Sequence, residues 1–192
     1  MFPVVRGKDG CNGLFYNLTK KKTEPWCKKH WKKPAAEIYF RYCDRGGHMS
    51  KQFLVPVCTL LAEKSPQALP LGAACIVTGI QTYFEKNHLK IGTVTSKLSV
   101  FEYSATPIHR QAEAIAQRLL QDAPFALCFS LYLWNRPVLE QAARIIKNKN
   151  PAIYLIAGGP EVTAGSLQDH PFDFLVAGEG EIAVPQLLHK LI

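Results

Sequence analysis

The sequence lacks any apolar run that approaches the roughly 18 to 20 residues needed to cross a bilayer. No apolar segment follows the first residues as it would in a secretion signal. Two glycine fingerprints are also missing: no G-x-G-x-x-G follows the first predicted strand, which argues against a dinucleotide site, and no G-x-x-x-x-G-K-[ST] is present, which excludes a P-loop. A chain of 192 residues can form one ordinary α/β domain with an appendage. We expect a cytoplasmic protein with no membrane segment.

Positive charge is concentrated at one end of the chain. The formal net charge is +8, but residues 1–48 hold 11 lysine and arginine residues against 4 acidic residues, and residues 49–192 hold 12 against 11. The charge therefore does not predict a nucleic-acid partner for the larger part. We divide the chain into a basic extension (1–48) of uncertain order and an α/β domain (49–192).

The extension allows three interpretations. Cys27, His30, Cys43 and His48 have a spacing compatible with a tetrahedral zinc site. The lysine clusters with interleaved aromatic residues are compatible with contact to RNA or single-stranded DNA. The absence of core-forming periodicity favours a third reading, an extension without a fold of its own that precedes a natural start at Met49.

Beyond the extension, short apolar runs alternate with segments of helical period. The predicted strands are Gln52–Cys58, an extended piece or two within His88–Tyr103, Phe125–Leu131, Ala152–Ala157 and Phe174–Ala177. The predicted helices are Leu71–Phe84, Pro107–Gln121, Val138–Lys147, Val162–Leu167 and Ala183–Ile192. Apolar runs without polar alternation indicate strands that are covered on both faces. The alternation predicts an α/β fold, a doubly wound parallel sheet of about five strands and five helices.

Two expectations concern the interior of this domain. Cys58, Cys75 and Cys128 lie in apolar surroundings, so we expect three buried thiols in a reducing compartment. Leu71–Phe84 should bury one apolar face. The residues assigned to that face are Leu71, Ala74, Cys75, Val77, Ile80 and Phe84.

Three turns follow the last three strands at the carboxyl edge of the sheet, where ligands bind in this class of fold. They are Tyr132–Asn135, Gly158–Glu161 and Gly178–Glu181. Glycine lets the backbone approach a ligand, although a tight turn also requires it. Glu179 and Glu181 lie near a helix N-terminus, which favours acidic side chains, and neither has a His or Lys partner. We expect helix capping there and predict no catalytic and no metal-ligating residue; His109 and His170 should be solvated.

Taken together, four segments resemble the cobalamin (B12)-binding domain that precedes the catalytic barrel in many radical S-adenosylmethionine (SAM) proteins. They are Ser65–Gly72, Phe129–Asn135, Gly158–Thr163 and Asp173–Glu181, and the resemblance extends over Lys51–Ile192. It implies a flavodoxin-like (Rossmann-like) sheet with strand order 2-1-3-4-5, cobalamin as cofactor and partner, and a radical-SAM catalytic domain in the same or a neighbouring chain.

The resemblance also implies a set of cofactor-binding residues. Those that should face the corrin ring are Ser130, Tyr132, Trp134 and Asn135. Those that should line the channel for the nucleotide tail are Gly158, Gly159 and Pro160. Those that should close one side are Gly178, Glu179 and Gly180, and the loop before the first helix adds Ser65, Gln67 and Leu69.

Two departures from the family pattern limit this expectation. The D-x-H-x-x-G motif, whose histidine ligates cobalt in many cobalamin domains, is replaced by Cys58–Glu63, so we expect no lower histidine ligand. No three cysteines have the C-x3-C-x2-C spacing of the radical-SAM iron–sulfur cluster. We therefore expect a domain truncated before its catalytic partner, without a cluster and not an enzyme by itself. The alternative is a degenerate α/β domain that acts as a protein or nucleic-acid interaction module without cofactor.

Overall fold

The structure is a computed structural model that describes residues 4–7, 40–43, 49–63, 68–87, 94–163 and 169–192. In these ranges the strands are β1 (Val4–Gly7), β2 (Phe40–Cys43), β3 (Met49–Leu61), β4 (Val94–Glu102), β5 (Ala126–Ser130), β6 (Tyr154–Gly158) and β7 (Phe174–Ala177). The helices are α1 (Leu71–Lys86), α2 (Ile108–Gln121), α3 (Arg136–Lys149) and α4 (Gly180–Leu191).

Five strands form the predicted parallel sheet, in the order β4-β3-β5-β6-β7. In chain order this is 2-1-3-4-5, so the flavodoxin-like α/β fold is confirmed. Pro56, which has no N–H to donate, pairs with Lys97 of β4, while the ladder between β3 and β5 is formed at Val57 and Cys58. The proline is thereby accommodated in a central strand.

The basic extension contributes two short strands to this sheet. β1 pairs antiparallel with β7, and β2 pairs antiparallel with the first residues of β3. Of the zinc-site residues only Cys43 lies within a described range, as the last residue of β2; the other three lie outside the described residues. The boundary at Met49 stays a prediction.

The sheet is covered on both faces, as the apolar strands predicted. Helices α2 and α3 pack on one face around Leu60, Phe129, Leu155 and their neighbours. Helices α1 and α4 pack on the other around Val57, Ile156 and Val176. Burying each such side chain contributes about 1.5 to 3 kcal/mol. Among the described residues, the carboxyl ends of the parallel strands lie at least partly exposed between the two helical layers.

A close contact between α1 and α4 fixes the start of α4 at that open edge. A Cβ atom on Gly79 would lie 2.5 Å from the carbonyl oxygen of Glu181. Pro185, four residues after Glu181, lies inside α4 and cannot donate the usual helical hydrogen bond to that oxygen. The two helix backbones can therefore approach closely where Gly79 has no side chain.

The sequence prediction of the buried face of α1 is confirmed for Ile80 and Phe84 and wrong for Leu71 and Cys75. The buried residues are Ala73, Ile80 and Phe84, whereas Leu71 and Cys75 are exposed. Residues 73, 80 and 84 recur at the helical period, and Cys75 projects from another side of the helix. Of the three thiols expected to be buried, Cys58 and Cys128 are buried and Cys75 is not.

Other boundaries differ more modestly. The second extended piece of His88–Tyr103 is β4, while most of the first lies outside the described residues. In α2, Ile108 is exposed, although the helical period of Pro107–Gln121 places it on the apolar face with Ala112 and Ile115. For the short helix predicted at Val162–Leu167, Val162 and Thr163 are not helical, and residues 164–167 lie outside the described part of the chain.

The burial of two thiols predicts their chemical reactivity. Burial raises the pKa of Cys128 to about 12 and raises the pKa of Cys58 further. At pH 8 iodoacetamide should label Cys75 rapidly, whereas Cys58 and Cys128 should be labelled only after denaturant is added, because the thiolate is the reactive form. Peptide mass spectrometry checks this, and rapid labelling of Cys128 in the native protein would contradict the fold.

Candidate functional site

The turns singled out from the sequence converge at the carboxyl edge of the sheet. The β5–α3 turn, the β6 turn and the β7–α4 turn leave strands that are neighbours in the order β5-β6-β7. The α1 N-terminus reaches the same edge from β3. Ser65 and Gln67 lie outside the described residues, and Leu69 is 71% exposed. The candidate site is therefore the carboxyl edge of the sheet, which is lined by the three turns after β5, β6 and β7 and by the connection from β3 to α1.

Asn135 holds the turn after β5. Its side chain is fully buried (0% exposed). The side-chain oxygen accepts a hydrogen bond from the backbone N–H of Tyr132 (2.8 Å), and Nδ2 donates to the carbonyl oxygens of Ser130 (3.1 Å) and Leu60 (3.3 Å). The amide thus joins the turn to the end of β3. Because both polar atoms are engaged within the protein, the structure gives Asn135 the role of shaping the turn.

An aromatic pair projects from this turn. The rings of Tyr132 and Trp134 stack with centroids 4.7 Å apart and planes inclined by 15°. Trp134 Nε1 donates to the carbonyl oxygen of Leu60 at 3.3 Å, which anchors the indole above β3. On the other side, a Cβ atom on Gly72 would lie 3.2 Å from the Tyr132 hydroxyl, so the phenol reaches the first turn of α1. The pair bridges the two helical layers at the open edge.

Gly159 adopts a conformation that suits only glycine. Its φ is +109°, and a Cβ atom would lie 2.5 Å from the carbonyl oxygen of Leu131. The neighbouring backbone is tied to the same residue, since Leu131 N–H donates to the carbonyl oxygen of Gly158 at 2.7 Å. A residue without a side chain is therefore needed at position 159 so that the β6 turn can pack against the β5 turn, whether or not a ligand binds there. Pro160 lies exposed beside it.

The β7–α4 turn has a similar special position. Gly178 has φ +95° and Glu179 takes the N-cap position of α4. The Glu179 side chain makes no cap hydrogen bond, so the expectation of side-chain capping is wrong for this residue. Its backbone carbonyl instead accepts from Ile182 and Ala183. A Cβ atom on Gly180 would meet the side-chain tip of Ile76 in α1 at 2.6 Å.

A partly buried ion-pair group stiffens the border between two of these turns. The Arg136 guanidinium lies 2.8 Å from a Glu140 oxygen and 3.4 Å from a Glu161 oxygen. The hydrogen bond to Glu140, with a further contribution from Glu161, raises the pKa of Arg136, so it stays charged. This group links the N-terminus of α3 to the β6 turn.

Large apolar side chains stand exposed around these turns. They are Leu69, Leu71, Leu133 (78% exposed), Trp134 (50% exposed) and Ile182. Of these side chains, Leu69 and Trp134 were predicted to contact the cofactor, whereas Leu71 was predicted to be buried, because an apolar residue at the start of a helix is typical of a core position. Leu69, Leu133 and Trp134 lie on connections, and Leu71 and Ile182 lie in the first turns of α1 and α4. Exposed apolar groups that cluster in this way are typical of binding surfaces.

Metal-ligating groups are not gathered here. Among the described residues no three His, Cys, Asp or Glu side chains lie close enough to hold a metal ion. Of the three histidines in those ranges, His109 is exposed in the first turn of α2, and His189 lies near the end of α4, where Nδ1 is 2.9 Å from the Tyr83 hydroxyl. His170 is only partly exposed and its ring stacks on Phe172 with centroids 6.0 Å apart, so the expectation of a solvated histidine holds for His109 and not for His170. Within the described ranges, no helix is both long and apolar enough to cross a membrane.

In doubly wound α/β domains ligands bind at the carboxyl edge of the sheet, where this chain has its glycine turns and the stacked Tyr132–Trp134 pair. The sequence model of the B12 binding domain matches residues 93–188, half of the chain. The chain therefore belongs to the B12-binding domain family. The matched part contains the β5, β6 and β7 turns described above.

Two curated proteins are similar to part of this chain. The cobalamin-dependent radical SAM methyltransferase TokK of Streptomyces tokunonensis is 30% identical to this chain over 124 residues. The matched segment covers 62% of this chain and 16% of that protein. The 2-(S-pantetheinyl)-carbapenam-3-carboxylate methyltransferase of Streptantibioticus cattleyicolor is 39% identical to this chain over 69 residues. That matched segment covers 34% of this chain and 10% of that protein. The chain thus spans less than a fifth of each relative.

Proposed function

We propose that this chain binds cobalamin at the carboxyl edge of its sheet and serves a radical-SAM enzyme, whose catalytic domain lies in the same or a neighbouring chain. The observation that carries the proposal is the stacked Tyr132–Trp134 pair, of which Trp134 is exposed together with Leu133; Asn135 holds the turn that carries them at the edge where cofactors bind in this fold. Membership of the B12-binding family supports it. A cytoplasmic location is part of the proposal.

The described residues fit a corrin, which is a broad, largely apolar ring with amide groups at its rim. Trp134, Leu133 and Leu69 provide apolar contact area that is exposed in the structure. The few charged groups at the β5 and β6 turns are paired with each other, as Arg136 is with Glu140 and Glu161. A neutral, apolar ring therefore suits this surface better than a highly charged nucleotide.

Each predicted residue receives a role within this proposal. Ser130, Tyr132 and Trp134 face the ring, and Asn135 fixes the turn that presents them. Gly158, Gly159 and Pro160 line the tail channel; Gly178, Glu179 and Gly180 close one side; Ser65, Gln67 and Leu69 complete the border from the loop before α1. Bound cobalamin supplies the organometallic chemistry, and this chain binds and orients the ring.

The proposal predicts that the full chain retains hydroxocobalamin through gel filtration, with visible absorbance equal to about one cofactor per chain. Leu133→Asp should reduce retention at least roughly tenfold, because a charge would be desolvated beneath an apolar ring. The fold should be unaffected, since Leu133 is exposed. Ile192→Asp, an exposed apolar residue at the chain terminus, is the matched control and should bind normally.

The alternative function makes the opposite prediction. The same apolar surface would suit a protein partner, and an interaction module without cofactor would elute colourless at every hydroxocobalamin concentration. We further propose that none of the described histidines ligates cobalt. The visible spectrum of the bound cofactor should then be identical for the parent chain, His109→Ala and His170→Ala, and a shift in either variant would identify a ligand.

A further inference from the structure

A concave feature lies at the same edge, outside the turns described above. It is a pocket of about 360 Å³ between the end of β4 and the first turns of α2. Its wall includes Phe101 and Glu102 at the end of β4, Ser104 and Thr106 in the connection, and Arg110 and Gln111 in α2. Nothing in the family resemblance assigned these residues to a site.

Gln111 gives this pocket a specific chemistry. The residue is only 7% exposed, and its Nε2 donates a 2.9 Å hydrogen bond to the carbonyl oxygen of Glu102. Because a carbonyl can only accept, this bond fixes which end of the side-chain amide faces β4. The other end, Oε1, is buried without a hydrogen-bond partner. A buried acceptor without a donor destabilises a fold by about 1 to 3 kcal/mol, so it calls for an explanation.

The rest of the pocket offers hydrogen-bond donors. Helix α2 begins after Pro107 without a side-chain cap and with no acidic residue in its first turn. Arg110 adds a guanidinium, and the hydroxyls of Ser104 and Thr106 lie 2.6 Å apart at the mouth. A complementary ligand presents an N–H or O–H to Gln111 Oε1 and a carbonyl oxygen to these donors. A primary amide has both, whereas a phosphate or carboxylate lacks the donor.

The pocket is close to the surface proposed for the corrin. Trp134 is anchored on Leu60 of β3, and Leu60 is the register partner of Phe101, which lines the pocket. Adjacent strands are about 4.8 Å apart, so the pocket begins one to two strand spacings from the aromatic pair. A corrin ring with its side chains extends over such a distance.

We propose that this pocket receives one amide side chain of the corrin rim, with Gln111 Oε1 as the acceptor for its N–H group. The inference rests on the proposed function and assigns a specificity contact to it. Since Oε1 is shielded from water, the entering amide must displace the pocket wall slightly to reach it. Hydrolysis of that rim amide to a carboxylate would remove the donor and place a negative charge against the oxygen, a loss that Arg110 and the N-terminus of α2 would offset only in part.

Gln111→Met tests the contact, because methionine keeps the length of the side chain and removes both polar atoms. We expect the Kd for hydroxocobalamin to rise roughly three- to tenfold, the effect of one neutral hydrogen bond. The melting temperature should change little, since the variant loses the hydrogen bond to the Glu102 carbonyl but also removes a buried acceptor that has no partner. Gln117→Met, on the exposed side of the same helix, is the matched control and should change neither quantity.

Cobalamin monocarboxylates, in each of which one rim amide is hydrolysed, identify the group. One of these monocarboxylates should bind the parent chain more weakly than hydroxocobalamin binds the parent chain. The same monocarboxylate should bind Gln111→Met at least as tightly as hydroxocobalamin binds that variant. An unchanged Kd for Gln111→Met, or a raised Kd together with a lowered melting temperature, would overturn this contact but leave the proposed function intact. If the parent chain binds no hydroxocobalamin at all, both proposals are overturned.

Discussion

Replacing Gly159 with alanine should abolish retention of hydroxocobalamin and lower the free energy of unfolding by roughly 2 to 4 kcal/mol. The new Cβ atom would lie 2.5 Å from the Leu131 carbonyl oxygen, and φ is +109°. Relief of that overlap must move the β6 turn away from the β5 turn. The Tyr132–Trp134 pair begins one residue after Leu131, so the displacement reaches the proposed corrin surface. Urea unfolding and gel filtration with hydroxocobalamin measure the two effects.

Gly158→Ala tests cobalamin binding at this turn without a large change in the stability of the fold. A Cβ atom on Gly158 would lie 3.4 Å from the Val176 carbonyl oxygen, which is an ordinary contact, and its φ is not in the left-handed region. The variant should therefore be nearly as stable as the parent chain. If Gly158 lines the tail channel, its cobalamin affinity should fall nevertheless. If Gly159→Ala kept the stability and the cobalamin affinity of the parent chain, both the packing of Gly159 against the Leu131 backbone and the proposed corrin surface would be contradicted.

Asn135→Ala should produce the second large effect, a loss of roughly 2 to 4 kcal/mol in the free energy of unfolding. Three hydrogen bonds disappear from a fully buried position, and the Tyr132 N–H and the Ser130 carbonyl lose the Asn135 side chain as a partner. The Tyr132–Trp134 pair would then keep only its indole anchor on Leu60. We expect cobalamin affinity to fall by roughly tenfold or more, since 1.4 kcal/mol corresponds to a factor of ten.

Asn148→Ala is the matched control, because Asn148 is exposed near the end of α3. Its stability should lie within about 0.5 kcal/mol of the parent chain, and its affinity should be unchanged. Equal stability of Asn135→Ala and Asn148→Ala would show that the buried amide does not hold the turn. Reduced stability with parental cobalamin affinity would show that the turn is not part of the site.

The sequence predicted the sheet well because strands covered on both faces are nearly continuous apolar runs. β5, β6 and β7 were located within a few residues for this reason, and the strand order followed from the family resemblance. The sequence failed on α1, whose apolar residues occur on more than one side of the helix. Its start lies at the open edge, so Leu71 is exposed there. Composition alone cannot distinguish an apolar residue of the core from one that faces a ligand.

The site was predicted as segments and not as contacts. Gly159 was singled out for access to a ligand, whereas the structure shows that its missing side chain makes room for the Leu131 backbone. Asn135 was expected to face the corrin, but its amide is engaged by the backbone of two strand ends. Gln111 was not noticed at all, because an isolated glutamine in a helix carries no pattern. Long-range partners of this kind are set by the packing of distant segments.

The most direct test of cobalamin binding at the carboxyl edge is amide hydrogen exchange of the full chain with and without hydroxocobalamin. The cofactor should slow exchange in residues 131–135, 158–161 and 178–180, which belong to three separate turns. The end of α3, at residues 147–150 on the opposite edge, should exchange at the same rate in both samples. Protection confined to that opposite edge, or no change anywhere at saturating hydroxocobalamin, would contradict the assignment.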